Sequence, residues 1–159
     1  MKRGNVKTRT IGLTLGMLFV GLAMCSAQNP MLGTWKLNET KSKIPAGSSK
    51  NLTVKYEAAG DSMKATIDGV DGQGKPTHTE WTGKFDGKDY PVTGDPTADT
   101  RSIKQVDAHN YQLTVKKAGK ITMTGKAVIS ADGMSRTINV SGKDSMGMKT
   151  EATSVYEKQ

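Results

Sequence analysis

From Leu32 onward the chain alternates apolar and polar residues with period two, in short runs cut by Gly, Asp, Asn or Pro about every 8 to 14 residues. That spacing belongs to strands whose two faces meet different surroundings, because side chains alternate across a strand but recur every three or four residues on a helix face. Leu52, Val54 and Tyr56 share one parity, and Thr53, Lys55 and Glu57 the other. Met63, Ala65 and Ile67 alternate with Lys64, Thr66 and Asp68 in the same way. Tyr111, Leu113 and Val115 alternate with Gln112, Thr114 and Lys116, and Ile121, Met123, Ala127 and Ile129 follow.

Between the runs stand residues that tolerate the positive φ of tight hairpins: Gly60-Asp61, Asp71-Gly72, Asp86-Gly87, Gly119-Lys120 and Asp132-Gly133. Outside the N-terminal segment no stretch combines helical periodicity with a cap. The pattern predicts an all-β fold, a meander of about eight to ten strands. A meander of that length must hide its edges, and closure into an up-and-down antiparallel β-barrel does so completely. A two-sheet β-sandwich is the alternative. Asn38 to Ser49 and Tyr90 to Asp99, both carrying Pro and Gly, are predicted as longer loops, either forming a mouth or lid or serving as plain surface excursions.

The first 27 residues form a separate object. Lys2, Arg3, Lys7 and Arg9 precede an apolar run from Ile11 to Met24, followed by Ser26-Ala27. The run, about 14 residues, is shorter than the roughly 18 a spanning helix requires. Residues 1–27 therefore read as a signal-peptide helix, and 28–159 as a single barrel domain. The expected location is exported, periplasmic or secreted. The sole cysteine, Cys25, falls within the signal, so the expected mature chain has no thiol. Leu22-Ala23-Met24-Cys25 also resembles a lipoprotein processing site, which makes a lipid anchor at Cys25 the minor alternative to soluble export. Four of the 23 basic residues belong to the signal, leaving 19 against 15 acidic ones and a mature net charge of +4.

An internal echo at an offset of 71 residues matches Met63, Thr66 and Ile67 with Met134, Thr137 and Ile138, and Thr79, Glu80 and Thr82 with Thr150, Glu151 and Thr153. It aligns the strand bearing Trp81 with the last strand and predicts that Thr150, Ala152, Ser154 and Tyr156 face inward.

The first run, Leu32-Gly33-Thr34-Trp35-Lys36-Leu37, places a Gly-x-Trp where lipocalins, avidins and intracellular fatty-acid-binding proteins carry one. The last, Thr153-Ser154-Val155-Tyr156-Glu157-Lys158, looks like the closing strand of the fatty-acid-binding proteins. With a meander between them, the chain resembles a calycin-type, lipocalin-like barrel. Tyr56 to Asp61 and Asp86 to Val92 resemble stretches of small exported bacterial proteins with no assigned activity. The calycin resemblance implies an interior cavity for an apolar or amphipathic ligand, with Trp35 closing one end. It also shows a departure. Fatty-acid-binding proteins hold a carboxylate with an Arg and a Tyr two residues apart on the last strand, whereas here Tyr156 is present and Ser154 stands in the Arg position.

Only two arginines follow the signal, and each shares parity with apolar neighbours: Arg101 with Ile103, Arg136 with Met134 and Ile138. A buried guanidinium must find a carboxylate, a π face or a bound anion, since an unpaired buried ion costs several kcal/mol. Two readings stay open for Arg136: an anionic headgroup held with Tyr156 and Tyr111, or a cation–π contact on Trp35. Arg101 either lines the interior or snorkels from a strand end. Trp81 and Phe85 are predicted to point inward. The ligand-binding candidates are thus Arg136, Tyr156, Tyr111, Trp81 and Arg101.

Nothing in the sequence points to catalysis, a cofactor or a metal. There is no glycine-rich phosphate loop before a helix and no Gly-x-Ser-x-Gly elbow. His78 and Glu80 lie two apart on an outward face, and His109 falls in a turn, too few ligands for a metal. The lysines are interleaved with acids, the opposite of a nucleic-acid footprint. The expected function is a non-enzymatic exported barrel binding a small apolar or amphipathic ligand. A cell-envelope or extracellular interaction protein with a filled barrel is the alternative.

Overall fold

The alternating runs become ten strands: β1 (Gly33–Leu37), β2 (Lys50–Ala59), β3 (Ser62–Val70), β4 (Pro76–Gly83), β5 (Tyr90–Thr93), β6 (Thr100–Gln105), β7 (Asn110–Lys117), β8 (Lys120–Ile129), β9 (Ser135–Lys143) and β10 (Lys149–Lys158). A computed structural model describes residues 29–143 and 149–159. Residues 1–27, read from the sequence as a signal peptide, and Cys25 within them lie outside the described residues. Each strand runs antiparallel to the one before it, and β10 returns to pair with β1, so the sheet closes in the order β1-β10-β9-β8-β7-β6-β5-β4-β3-β2. This is the up-and-down barrel the alternation predicts, and closure rules out the sandwich. Among the described residues, helix is confined to one 3-10 turn, Glu39–Lys41, capped by the Asn38 side chain, which accepts from the Lys41 N–H at 3.1 Å.

Up-and-down topology sorts the connections to two ends. Segments 60–61, 84–89, 106–109 and 130–134 meet both termini of the barrel at one end; 38–49, 71–75, 94–99 and 118–119 lie at the other. The first end is plugged by residues 29–32. Met31, 2% exposed, sits under the barrel floor, and its carbonyl accepts the Trp35 indole N–H at 2.9 Å. Asn29 Oδ1 accepts from the Met31 N–H at 3.0 Å and the Tyr111 hydroxyl at 3.3 Å. From the last strand, Lys158 reaches the Pro30 carbonyl at 3.1 Å with its Nζ 5.1 Å from the centre of the Trp35 ring. That crossing explains Gly33: its φ of 114° lies outside the L-residue range, and a Cβ there would meet Lys158 Cε at 2.9 Å.

Above the floor lies an aromatic layer. Trp81 stacks on Phe85 with centroids 6.1 Å apart, and Phe85 meets Tyr56 and Tyr111 edge-on at 6.2 and 5.5 Å. These are the offset and T-shaped geometries that the ring quadrupoles favour.

Two local expectations need correction. The predicted loop Tyr90 to Asp99 is a strand for its first four residues: Trp81 pairs with Val92, and Tyr90 pairs with Arg101. Pro91 obscures this in the sequence, yet a proline fits in a short strand where its missing N–H is not called on. The hairpin predicted at Gly119-Lys120 turns one residue earlier, on Ala118-Gly119, with φ values of 48° and 73°.

Candidate lumenal site

The last strand has the inward parity predicted for it: Tyr156 lies opposite Arg136, Ser154 opposite Ile138, and Ala152 opposite Val140. The start of β8 departs from the prediction, because a bulge at Val115/Lys116 shifts the register and leaves Ile121 62% and Met123 36% exposed. Burial divides the inward residues into two populations. Toward the plugged end Trp35, Tyr56, Ala65, Trp81, Ile129 and Arg136 are buried, whereas Leu52, Leu113, Ile138, Val140, Ala152 and Ser154 keep part of their surface in solvent. Leu37, Ile67, Thr79 and Val115, nearer the other end, are buried as well, so the partly exposed inward residues gather on one side of the lumen, on β7 to β10 and β2.

Several small residues on this wall have a structural reason. A Cβ on Gly125 would come within 2.7 Å of the Asn139 carbonyl oxygen and 2.9 Å of Val140, so β8 and β9 need the glycine to approach so closely. Gly125 thus reflects sheet coiling. Ala152 and Ser154 are the small residues that border open space.

Arg136 sits inside the packed end, 1% exposed. Its guanidinium carbon is 4.7 Å from the Tyr156 ring centre, 4.9 Å from Trp35 and 5.5 Å from Tyr56, and Nη1 donates to the Met31 sulfur at 3.3 Å. Nε and Nη2 have no hydrogen-bond partner. Three π faces surround a desolvated cation, each contact worth roughly 0.5–2 kcal/mol. Of the two readings left open for this residue, the aromatic one is what the structure displays. Parity makes Tyr56 predictable as a cage member; Met31 precedes the first strand and gives no periodic signal.

Tyr156, 3% exposed, donates its hydroxyl to the Asn51 carbonyl at 3.0 Å. Burial raises its pKa above the usual phenol value, while Arg136, a hydrogen bond with Ser154 and Arg101 pull it the other way. Tyr111 is pushed up to about 12, first by burial and then by the Asp107 and Tyr56 charges. Its hydroxyl is turned toward Asn29 and the Ala108 carbonyl, which puts it in the plug. Trp81 donates its indole N–H to the Arg101 carbonyl at 3.0 Å.

Arg101 is the second residue of β6 and shares its face with Val115 and Tyr90. It is half-buried, and its Nε is buried without a partner. Among the described residues every ion pair employs lysine or His78: Lys64–Glu80 at 2.7 Å, Lys116–Asp89 at 2.6 Å and Lys41–Glu157 at 2.9 Å are examples. All lie on the outer surface or at the turns. The structure thus brings Arg136, Tyr156 and Arg101 to one lumen, seats Trp81 beside Arg101, and assigns Tyr111 to the floor.

His78 bonds Asp68 at 2.6 Å on the outside. Among the described residues no group of three or more His, Cys, Asp or Glu is placed to hold a metal ion, and no helix is long and apolar enough to cross a membrane. The loop 38–49 runs up the edge of β10, with Lys43 and Thr153 exchanging backbone hydrogen bonds of 2.7 and 2.9 Å, and Ile44 folds back onto the core. Outside the barrel, where this loop leaves β1, lies an open recess of about 370 Å³ lined by Lys36, Leu37, Asn38, Glu39, Glu157 and Gln159.

No family model and no curated protein matches the sequence. Solved structures with a similar fold include EF1p2_mFAP2b bound to DFHBI, at 12% identity over 82% of this chain and 94% of that one, with a TM-score of 0.47. A de novo designed fluorescence-activating β-barrel is 13% identical over 86% of this chain and 100% of its own, with a TM-score of 0.45. A redesigned β-barrel, mFAP1, bound to DFHBI is 15% identical over 81% and 95%, with a TM-score of 0.42.

Proposed function

We propose that this chain is an exported, non-enzymatic barrel that holds a small apolar or amphipathic ligand in the open half of its lumen. The observation behind the proposal is the split between inward residues that are buried and inward residues that are not. Leu52, Leu113, Ile138 and Val140 are apolar and inward by parity, yet keep part of their surface in solvent even though the first three pack against the core. Barrel width supports the reading, since the interior grows with strand number and eight strands already suffice for side chains to fill it. Ten strands with the large aromatics concentrated at one end leave the other end under-filled. Apolar walls with a few polar groups, here Ser154, Tyr156 and Arg101, are the usual composition of small-molecule sites.

Export is the reading of residues 1–27, and the sequence offers no Gly-x-Ser-x-Gly elbow, phosphate loop or metal-ligand motif, which favours a carrier over an enzyme. Native mass spectrometry of protein purified from its own host tests the proposal. A co-purified small molecule that is lost when Val140→Trp blocks the wall supports it; a ligand retained by that variant places binding elsewhere. If the bare mass is accompanied by no response to the neutral probe N-phenyl-1-naphthylamine, the lumen is not a ligand site.

The recess of about 370 Å³ beside Glu39 and Glu157 favours a second reading, a partner contact on the outer edge of β1 and β10. A Glu157→Lys substitution that abolishes capture of a partner without altering probe binding would select it.

A further inference from the structure

We propose that Arg101 is an anion site within the lumen, which receives the charged head of a ligand bearing one anionic group on an apolar, flat or single-chain body. The inference rests on the lumen being a ligand space and specifies what it selects.

Two facts of placement converge on it. Arg101 lies on the lumenal face of β6, opposite Val115 on one side and Tyr90 on the other. Its backbone is fixed from within by the Trp81 indole N–H on its carbonyl.

Among the described residues, charge accounting then leaves this residue without a carboxylate partner. No Asp or Glu among the described residues occupies an inward position, and the ion pairs found involve lysine or histidine only. Arginine does not escape by deprotonation, as a buried lysine does. A half-buried guanidinium with an unsatisfied Nε is therefore a standing demand for an anion.

The second lumenal arginine does not compete. Arg136 is 1% exposed behind Tyr156, and its cation is enclosed by three rings and Met31. No headgroup reaches it without dismantling the floor. Arg101 keeps part of its surface in solvent, and its planar fork matches a carboxylate, sulfonate or phosphate monoester. One accessible guanidinium argues for one charge on the ligand. The apolar wall of Leu113, Val140 and Ala152 is the surface left for its body.

Two probes of the same aromatic body separate this inference from the one beneath it: 1-anilinonaphthalene-8-sulfonate, an anion, and the neutral N-phenyl-1-naphthylamine, both read by fluorescence titration of the full chain. The expected result is at least tenfold tighter binding of the anion by the native protein. In Arg101→Met the ratio collapses toward one while the neutral probe binds as before, and Arg101→Lys restores part of the preference. Arg136→Met leaves the ratio unchanged. Equal binding of both probes by the native protein, or an anion preference that survives Arg101→Met, overturns the anion site but leaves the lumen reading standing. A native protein that binds neither probe overturns both. Should Arg101→Met fail to fold, Arg101→Gln and the native ratio carry the decision.

Discussion

Arg136 shows how far a single residue's surroundings can depart from what its type suggests. Its parity with Ile138 marks it as inward, and the cost of an unpaired buried ion demands an explanation, so both the puzzle and the aromatic solution were legible from spacing alone. The three-ring cage was not, because Tyr156 reaches it from the last strand and only closure of the barrel sets β10 beside the β1–β2 pair. The cage makes much of this side chain's contribution a matter of packing. Arg136→Ala should cost about 2–5 kcal/mol in denaturant unfolding, the range for emptying a core site of comparable bulk. Arg136→Met should recover most of that loss, because it refills the cage and removes a desolvated charge. A methionine variant as unstable as the alanine one would mean that the cation itself holds the floor together. Ala118 poses the opposite case, a small residue in a costly conformation. Its φ of 48° sits in the hairpin turn with Gly119, a two-residue geometry in which both central residues need positive φ. Its N–H is held by Asp99 at 2.6 Å. Ala118→Gly should raise stability by about 1 kcal/mol, the L-residue penalty in that region less the added entropy of the unfolded glycine. Chemical denaturation of the two chains measures it directly.

At the level of elements, the strands were readable because each has one wet face, and the same logic explains what was missed. β5 has four residues, one of them proline, too few to show alternation against the turn residues on either side. The segment 29–32 has no periodicity at all, yet it carries more of the floor than its length implies. Met31 buries its side chain beneath Trp35, its carbonyl satisfies the indole N–H, Asn29 receives the Tyr111 hydroxyl, and Pro30 receives Lys158. A chain begun at Leu32 instead of Gln28 forfeits about 1.5–3 kcal/mol of methionine burial and leaves a buried indole N–H unsatisfied at about 1–3 kcal/mol. The expected loss is about 3–5 kcal/mol, read as an earlier urea midpoint at constant slope. If the midpoint does not move, the segment only rests on the barrel.

For the whole molecule, the consequential property is that one lumen has two characters. Period two predicts the ring of strands and which side chains point into it, but it does not say which end is filled, because that depends on how registers align large residues from different strands. Trp35, Trp81, Phe85, Tyr56 and Tyr111 fall near one level and saturate it, while Ala152, Ser154 and Val140 fall at another and keep part of their surface in solvent. Thiol chemistry can read this asymmetry, since Cys25 is the only cysteine in the sequence and a Cys25→Ser background has none. Ala65, fully buried between Tyr56 and Trp81, and Ala152, half-buried on the open wall, both point inward. Cysteine at 152 should react with a maleimide in the native state within minutes and be shielded by a bound probe. Cysteine at 65 should react only through global unfolding, at least a thousandfold more slowly, since a core site opens with most of the stability of the fold. Similar slow rates at both positions would mean the barrel is closed along its length. Similar fast rates would mean the aromatic floor is not a floor, and that ligand entry from either end must be considered.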